Sequence, residues 1–157
     1  MVEYIEFGDI FNIAGVQNFA HGCNCAGAMG KGIAVQFKER FPEMFIKYKA
    51  LCSENKFNLG DVFDYKYENG IVFNLATQRS WRTKAEIHAV KHALRGMLDI
   101  AEKNSITEIA LPKIGAGLGG LDWGDVKNLI EEEAKKHPQI SLHIVLNFKN
   151  QPLLNSL

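Results

Sequence analysis

The sequence has no long hydrophobic run and no excess of charge of either sign. No apolar stretch approaches the roughly 20 residues that a membrane-spanning helix requires, and the amino-terminal "MVEYIEFGDIF" lacks the basic segment and the long apolar segment of a signal peptide. Lysine plus arginine number 18, as do aspartate plus glutamate, so the formal net charge is zero. These absences predict a cytoplasmic protein that does not bind membranes and has no long-range attraction to nucleic acid.

Cysteine is also scarce, and the spacing of the three cysteines matches no familiar disulfide framework. An odd number of thiols favours reduced cysteines over disulfides. His21, Cys23 and Cys25 lie close together in the sequence, but a metal site there would lack a fourth ligand at a familiar spacing. We therefore predict no metal and no cofactor, and we expect Cys23 and Cys25 to form a buried thiol pair on one face of a strand.

Strand-like and helix-like segments alternate along the whole chain. Its 157 residues, 46% of them hydrophobic, predict a single domain over residues 1–157, which we expect to be monomeric. Alternating apolar residues predict strands, apolar residues three or four positions apart predict helices, and Asn69-Gly70 predicts a hairpin turn. The predicted strands cover 2–7, 18–24, 106–112, 141–148 and the two arms of a hairpin over 61–77, and the predicted helices cover 32–41, 43–54, 85–104 and 124–136. This order predicts a three-layer α/β/α fold with a central mixed sheet.

Two glycine-rich loops each follow a predicted strand and precede a predicted helix. Loop 1 is Ala28–Gly32 and loop 2 is Gly115–Gly120. Glycine permits close backbone approach, and the amides of such loops, with a helix amino terminus behind them, form an anion site at the carboxyl ends of the strands. Two such loops suit a diphosphate. The alternative is that each loop is only a tight turn.

Loop 2 also matches the pattern G-x-G-x-x-G, which is typical of dinucleotide-binding dehydrogenases. Such a site requires an acidic residue about 20 positions further on, at the end of the next strand. Position 140 is isoleucine, and the nearest acidic residues fall in the predicted helix at 131–133. A standard dehydrogenase is therefore excluded.

Four segments together resemble a macrodomain, the ADP-ribose-binding module. They are "FGDIF", "CNCAGAMGKGIAVQFKERFP", "FNLATQRSWR" and "LPKIGAGLGGLDW", and they occur in the order found in that family across nearly the whole chain. The branch that they resemble contains ADP-ribose-1″-phosphate phosphatases, terminal ADP-ribose protein glycohydrolase and bacterial DNA ADP-ribosyl glycohydrolases. The resemblance implies ADP-ribose, or an ADP-ribosylated molecule, as the partner, with nucleic acid a partner only as an ADP-ribosylated substrate.

The resemblance also implies roles for individual residues. Asp9 would accept a hydrogen bond from the adenine amino group, the two loops would hold the diphosphate, and Asn24 would meet the distal ribose. The alternative for Asp9 is a helix N-cap, and for Asn24 a turn residue with left-handed φ. The full set of predicted ligand-binding residues is Asp9, Ile10, Asn24, Met29, Gly30, Lys31, Gly32, Ile33, Ala34, Gln78, Gly115, Ala116, Gly117 and Leu118.

The catalytic pattern of this branch is only partly present. Glycohydrolases of the branch carry a lysine where this chain has Gln78, and the protein glycohydrolase carries an aspartate where it has Gly119. The phosphatases resemble this chain at His21. We predict that His21 is the catalytic acid or base. The alternative is a structural histidine that only forms hydrogen bonds. The best prediction is hydrolysis of ADP-ribose-1″-phosphate to ADP-ribose and phosphate. The alternatives are a non-catalytic ADP-ribose reader and a glycohydrolase that removes ADP-ribose from protein or DNA.

Overall fold

The computed structural model describes residues 1–149; residues 150–157, the end of the predicted domain, lie outside the described residues. The described chain forms six strands and four helices, which alternate as the sequence predicts. In chain order they are β1 (Val2–Gly8), β2 (Phe19–Asn24), α1 (Ile33–Arg40), α2 (Pro42–Ser53), β3 (Val62–Tyr67), β4 (Gly70–Gln78), α3 (Ile87–Lys103), β5 (Glu108–Leu111), α4 (Trp123–Ala134) and β6 (Ser141–Phe148).

The strands form one mixed sheet in the order β1-β6-β5-β2-β4-β3. Every neighbouring pair is parallel except β3 and β4, which form an antiparallel hairpin. The carboxyl ends of β1, β6, β5, β2 and β4 therefore lie along one edge of the sheet. The predicted α/β class with a mixed sheet is confirmed.

Helices cover both faces of the sheet and bury a separate core against each. The first core contains the apolar side of α3 and α4, including Leu94 and Ile130, and the second contains the apolar side of α1 and α2, including Phe37 and Tyr48. Buried residues of α3 recur three or four positions apart, which is why this long helix is predictable from sequence. The three-layer arrangement places the loops that follow the parallel strands at one end of the molecule.

The hairpin turn lies one residue earlier than predicted. Tyr67 pairs with Gly70, so Glu68 and Asn69 form the turn and Gly70 already belongs to β4. A Cβ atom at Gly70 would lie 2.3 Å from the Gln17 carbonyl oxygen. Glycine is therefore needed here for close backbone approach rather than for the turn itself.

Strand β6 has the predicted bounds, and the other boundaries differ from those predicted by at most two residues. Helix α2 begins at Pro42, a favoured first helical position, and α4 begins at Trp123 because Asp122 accepts a hydrogen bond from the Asp125 amide at 3.1 Å. Strand β5 covers only Glu108–Leu111 of the predicted 106–112. No helix within residues 1–149 is long and apolar enough to cross a membrane.

Candidate ligand-binding cleft

A cleft opens at the carboxyl ends of three adjacent strands, β5, β2 and β4. Loop 2 follows β5, loop 1 follows β2, and a segment over 79–86 follows β4. The volume of the cleft is about 430 Å³. The ten described residues that line it are Gly22, Asn24, Ala28, Met29, Gly30, Lys31, Ala34, Gln78, Trp81 and Leu118.

Loop 1 presents a row of backbone amides at this cleft. Among residues 1–149, the amides of 30–34 have no hydrogen-bond acceptor; Gly32, which precedes α1, provides no side-chain cap, and the first turn of α1 contains no acidic residue. Gly32 has a φ of +63°, a conformation that favours glycine. Adjacent unpaired amides at a helix amino terminus attract an anion. The geometry of loop 1 is thus that of an anion site.

Asn24 holds loop 1 in this shape. Its Oδ1 accepts hydrogen bonds from the amides of Ala26 (2.9 Å) and Ala28 (3.3 Å), and its Nδ2 donates to the Ala28 carbonyl at 2.9 Å. The buried Tyr48 hydroxyl lies within hydrogen-bond distance of two Asn24 acceptors, the backbone carbonyl oxygen at 2.7 Å and Oδ1 at 2.9 Å. Asn24 lines the cleft, but both of its polar atoms already have partners. These contacts favour a turn-forming role, which Asn24 performs through its side chain and without the left-handed φ of that alternative.

Loop 2 approaches the cleft from the other side. Its amides at Gly117 and Leu118 have no acceptor within the described residues, whereas the carbonyl of Gly115 accepts a hydrogen bond from the Leu121 amide at 2.9 Å and closes the loop. A Cβ at Gly22 would lie 3.0 Å from Thr77 Oγ1 and 3.6 Å from the Gly115 amide nitrogen. Gly22 therefore lets loop 2 and β4 approach β2 closely.

Gln78 ends β4 and fixes the turn that follows. Its Nε2 donates to the carbonyls of Ser80 (2.8 Å) and Thr83 (3.2 Å). The turn over 80–83 is closed further by Thr83 Oγ1, which accepts from the Ser80 amide at 3.1 Å. The carboxamide thus holds the exposed Trp81 at the rim of the cleft.

His21 lies outside the cleft, packed beneath α1. Its side chain has no exposed surface, and its ring stacks on Phe37 with centroids 3.9 Å apart. Nε2 lies 2.7 Å from Asn74 Oδ1, and because Asn74 Nδ2 donates to the Phe63 carbonyl, Nε2 is the donor in this pair. Burial lowers the pKa of His21 to about 4, although the hydrogen bond to Asn74 opposes this shift. This position does not support the predicted catalytic role; it favours the structural alternative.

Asp9 lies at the carboxyl end of β1, on the same sheet edge as the loops. Its Oδ1 accepts a hydrogen bond from the Phe11 amide at 2.9 Å, and its carbonyl accepts from the Asn12 amide at 3.0 Å. Residues 10–18 contain turns and no helix, so the N-cap alternative is wrong and the carboxylate stabilises a turn instead. The side chain of Ile10 is fully buried and is not available to a ligand.

The cleft brings together part of the predicted set. Seven predicted residues line it: Asn24, Met29, Gly30, Lys31, Ala34, Gln78 and Leu118. Gly32 and Ile33 adjoin it at the start of α1, and Gly115, Ala116 and Gly117 precede Leu118 in loop 2. Asp9, Ile10 and His21 do not line it. Three residues that line the cleft, Gly22, Ala28 and Trp81, are absent from the predicted ligand-binding set. Ala28 belongs to the predicted loop 1, and the position of Gly22 within a short strand that leads into a glycine loop is a signal for close approach.

The cysteines do not form the predicted pair. Cys23 is buried in β2, whereas Cys25 lies beyond the strand and is half-buried, because the register shifts between Cys23 and Asn24. Burial raises the pKa of Cys25 to about 11, which leaves this thiol protonated at neutral pH. Within residues 1–149, no group of three His, Cys, Asp or Glu side chains is placed to hold a metal ion.

The fold and the cleft together define a class of protein. An α/β sheet whose carboxyl edge carries two amide-presenting loops is typical of domains that bind phosphate-containing nucleotides. The chain belongs to the Macro domain family, whose model matches residues 20–130. The resemblance found in the sequence is therefore confirmed.

Two relatives align with most of this chain. The DNA ADP-ribosyl glycohydrolase of Mycobacterium tuberculosis is 32% identical over 137 residues, which are 85% of this chain but only 39% of that protein. The ADP-ribose 1″-phosphate phosphatase of Candida albicans is 28% identical over 151 residues, which are 87% of this chain and 96% of that protein. The chain thus spans less than half of the first relative and nearly all of the second.

A solved structure agrees with the fold along most of the chain. The macrodomain of M. tuberculosis DarG superimposes with a TM-score of 0.85 at 30% sequence identity, and the match covers 93% of this chain and 97% of that one. The α/β/α architecture described above is therefore that of a macrodomain.

Proposed function

We propose that this protein binds the ADP-ribose moiety of a larger or phosphorylated derivative in the cleft and hydrolyses that derivative. The proposal rests on two loops that face one cleft. Within residues 1–149, the backbone amides of 30–34 in the first loop and of 117–118 in the second have no hydrogen-bond acceptor. Two anion sites on adjacent strand ends suit the two phosphates of ADP-ribose. The names of the glycohydrolase and the phosphatase both refer to ADP-ribose or its ADP-ribosyl group. This similarity supports ADP-ribose as the ligand proposed for the present chain.

The sheet order orients the ligand. Asp9 stands at the end of β1, loop 2 after β5, loop 1 after β2 and Gln78 at the end of β4. At roughly 4.8 Å per strand, the edge from β1 to β4 spans about 19 Å. We place the adenine toward Asp9, the diphosphate between the loops, and the distal ribose toward Gln78 and Trp81.

The substrate that we favour is ADP-ribose-1″-phosphate. The phosphatase relative matches over 96% of its own length, whereas the DNA glycohydrolase relative matches over 39%. Gln78 stands where glycohydrolases of this branch carry a lysine, and an amide is neither a nucleophile nor a proton acceptor at neutral pH. The zero net charge gives DNA no long-range attraction to the chain.

In the proposed hydrolysis, the chain positions the substrate and stabilises the developing charge, and it does not supply a titrating base. Of the ten described residues that line the cleft, only Lys31 has an ionisable side chain. In the proposed reaction, water adds to phosphorus, the bond between phosphorus and the ribose oxygen breaks, and that oxygen takes a proton. The substrate's own phosphate is the acceptor for the proton of the water, and backbone amides stabilise the developing charge.

A non-catalytic reader of ADP-ribose is the second candidate. Two observations favour it: the buried position of His21 and the glutamine at position 78. A reader needs the amide loops but no acid or base in the cleft.

Product analysis separates these functions. The full chain would be incubated with ADP-ribose-1″-phosphate, with ADP-ribosylated protein and with ADP-ribosylated DNA, and free phosphate and free ADP-ribose would be measured. We expect equal amounts of phosphate and ADP-ribose from the first substrate. Tight binding without any product would favour the reader, and ADP-ribose released only from protein or DNA would favour a glycohydrolase. Cytoplasmic location and the monomeric state stay predictions.

A further inference from the structure

Two cations and one indole form a cluster at the rim of the cleft, outside the amide loops. Trp81 is 56% exposed and lines the cleft. The Lys31 ammonium lies 5.8 Å from the centre of its ring and the Arg82 guanidinium carbon lies 4.6 Å from it. We call these three residues the rim cluster. Lys31 comes from loop 1 and the other two from the turn after β4, so the cluster connects two sides of the cleft.

Neither cation of the rim cluster has a carboxylate partner among the residues that the structure describes. Within residues 1–149, no ion pair includes Lys31 or Arg82. Arg79, in the same segment, differs because it pairs with Glu86 at 3.5 Å. The ten described residues that line the cleft include no acidic side chain. Two unpaired cations beside one cleft therefore create a local positive potential in a chain of zero net charge.

The turn that carries Trp81 and Arg82 is closed by several hydrogen bonds. Gln78 Nε2 donates to the Ser80 and Thr83 carbonyls, and the Arg82 amide donates to Ser80 Oγ at 3.2 Å. Stacking on the Trp81 ring restricts both cations further. Less side-chain entropy is then lost when these cations bind an anion. The arrangement is preorganised for a charged group at the Gln78 end of the cleft.

We propose that Lys31 and Arg82, held on Trp81, recognise a phosphate monoester carried by the distal ribose, and that they are specificity-determining residues of this site. The inference rests on the proposed function, because it takes the orientation of ADP-ribose from it. The diphosphate is assigned to backbone amides, which carry no formal charge, whereas a dianionic terminal phosphate is best matched by full positive charges. The rim cluster would thus distinguish ADP-ribose-1″-phosphate from ADP-ribose.

The test compares two ligands in variants that replace each cation by the neutral, polar glutamine. Lys31→Gln, Arg82→Gln and the double variant remove charge from exposed positions, and Arg79→Gln is the matched control, because Arg79 faces a different crevice with Cys25 and Cys52. Dissociation constants for ADP-ribose and ADP-ribose-1″-phosphate are measured by stopped-flow competition, before the phosphate is consumed. Each measurement is made at low and at high salt.

We expect wild-type protein to prefer ADP-ribose-1″-phosphate over ADP-ribose by about tenfold or more, and the double variant to lose this preference, expressed as the ratio of the two dissociation constants within each variant. High salt should weaken the preference in wild type, and Arg79→Gln should retain it. Equal affinity of wild type for the two ligands, or a full preference in the double variant, would overturn the inference and leave ADP-ribose binding intact. Failure of wild type to bind ADP-ribose would overturn the proposed function itself.

Discussion

Gly30→Val and Gly117→Val are each expected to lower the affinity for ADP-ribose by about 100-fold or more, or about 2.7 kcal/mol, while the protein stays folded. Neither glycine has a positive φ, and apart from the adjacent residues no atom of the described chain lies within 4 Å of a Cβ added at either position. The folded chain therefore accommodates the new side chain, and the loss arises from the volume that the diphosphate would occupy. Calorimetric titration with ADP-ribose measures the affinity, and thermal unfolding verifies the fold.

A graded series provides the control for this prediction. Alanine at the same two positions should cause a smaller loss than valine, since it occupies less of the space beside the amides. Gly32→Val is unsuitable, because φ at Gly32 is +63° and the added Cβ would lie 3.1 Å from Leu118 Cδ1, so the variant would strain the loop itself. If the two valine variants bind ADP-ribose with wild-type affinity, loops 1 and 2 are ordinary turns.

His21→Phe is expected to remove a pH dependence of stability and to leave ligand binding unchanged. In the folded protein, burial holds the pKa of His21 at about 4, below its ordinary value of 6.5. The unfolded chain therefore binds more protons between these values, so the neutral imidazole stabilises the fold above pH 6.5 and that contribution is lost as the pH falls to 4. Across this range wild type should lose about 3 kcal/mol more of its free energy of unfolding than His21→Phe does.

Urea unfolding of both proteins at pH 7, 5.5 and 4 measures this difference. At pH 7 the variant should be less stable by about 1–3 kcal/mol, because Asn74 Oδ1 loses its buried donor. Affinity for ADP-ribose and turnover of ADP-ribose-1″-phosphate should match wild type at pH 7. A folded variant whose turnover falls by about 100-fold or more would restore the catalytic role that the sequence predicts for His21.

The case of His21 shows where sequence reasoning succeeded and where it stopped. Periodicity places β2 correctly, and alternation along it puts His21 on the same face as Phe19 and Cys23, both buried. That pattern was a usable signal for a buried histidine. Alternation does not predict which residues pack against the His21 ring. Phe37 contacts the ring from α1, and the hydrogen-bond partner Asn74 lies in β4, 53 positions away in the sequence.

The loops were predictable for a different reason. Glycine clusters that follow strands and precede helices mark positions where backbone amides stay unpaired, and both clusters lie at the predicted edge of the sheet. The rim cluster was not predictable, because Lys31 and Trp81 belong to segments after different strands and meet only once β2 and β4 pair. The hydrogen bonds of Gln78 likewise depend on the shape of the turn after β4 rather than on any spacing in the sequence.

The central claim, that the cleft is an ADP-ribose site, is tested most directly by calorimetric titration of the wild-type chain with ADP-ribose, AMP and ribose 5-phosphate. We predict one ADP-ribose per chain and an affinity at least about tenfold higher than for either fragment, because only the whole ligand spans both loops. At 100 times its dissociation constant, ADP-ribose should stabilise the fold by about 2.7 kcal/mol. No heat of binding and no thermal shift with millimolar ADP-ribose would contradict the assignment of this cleft.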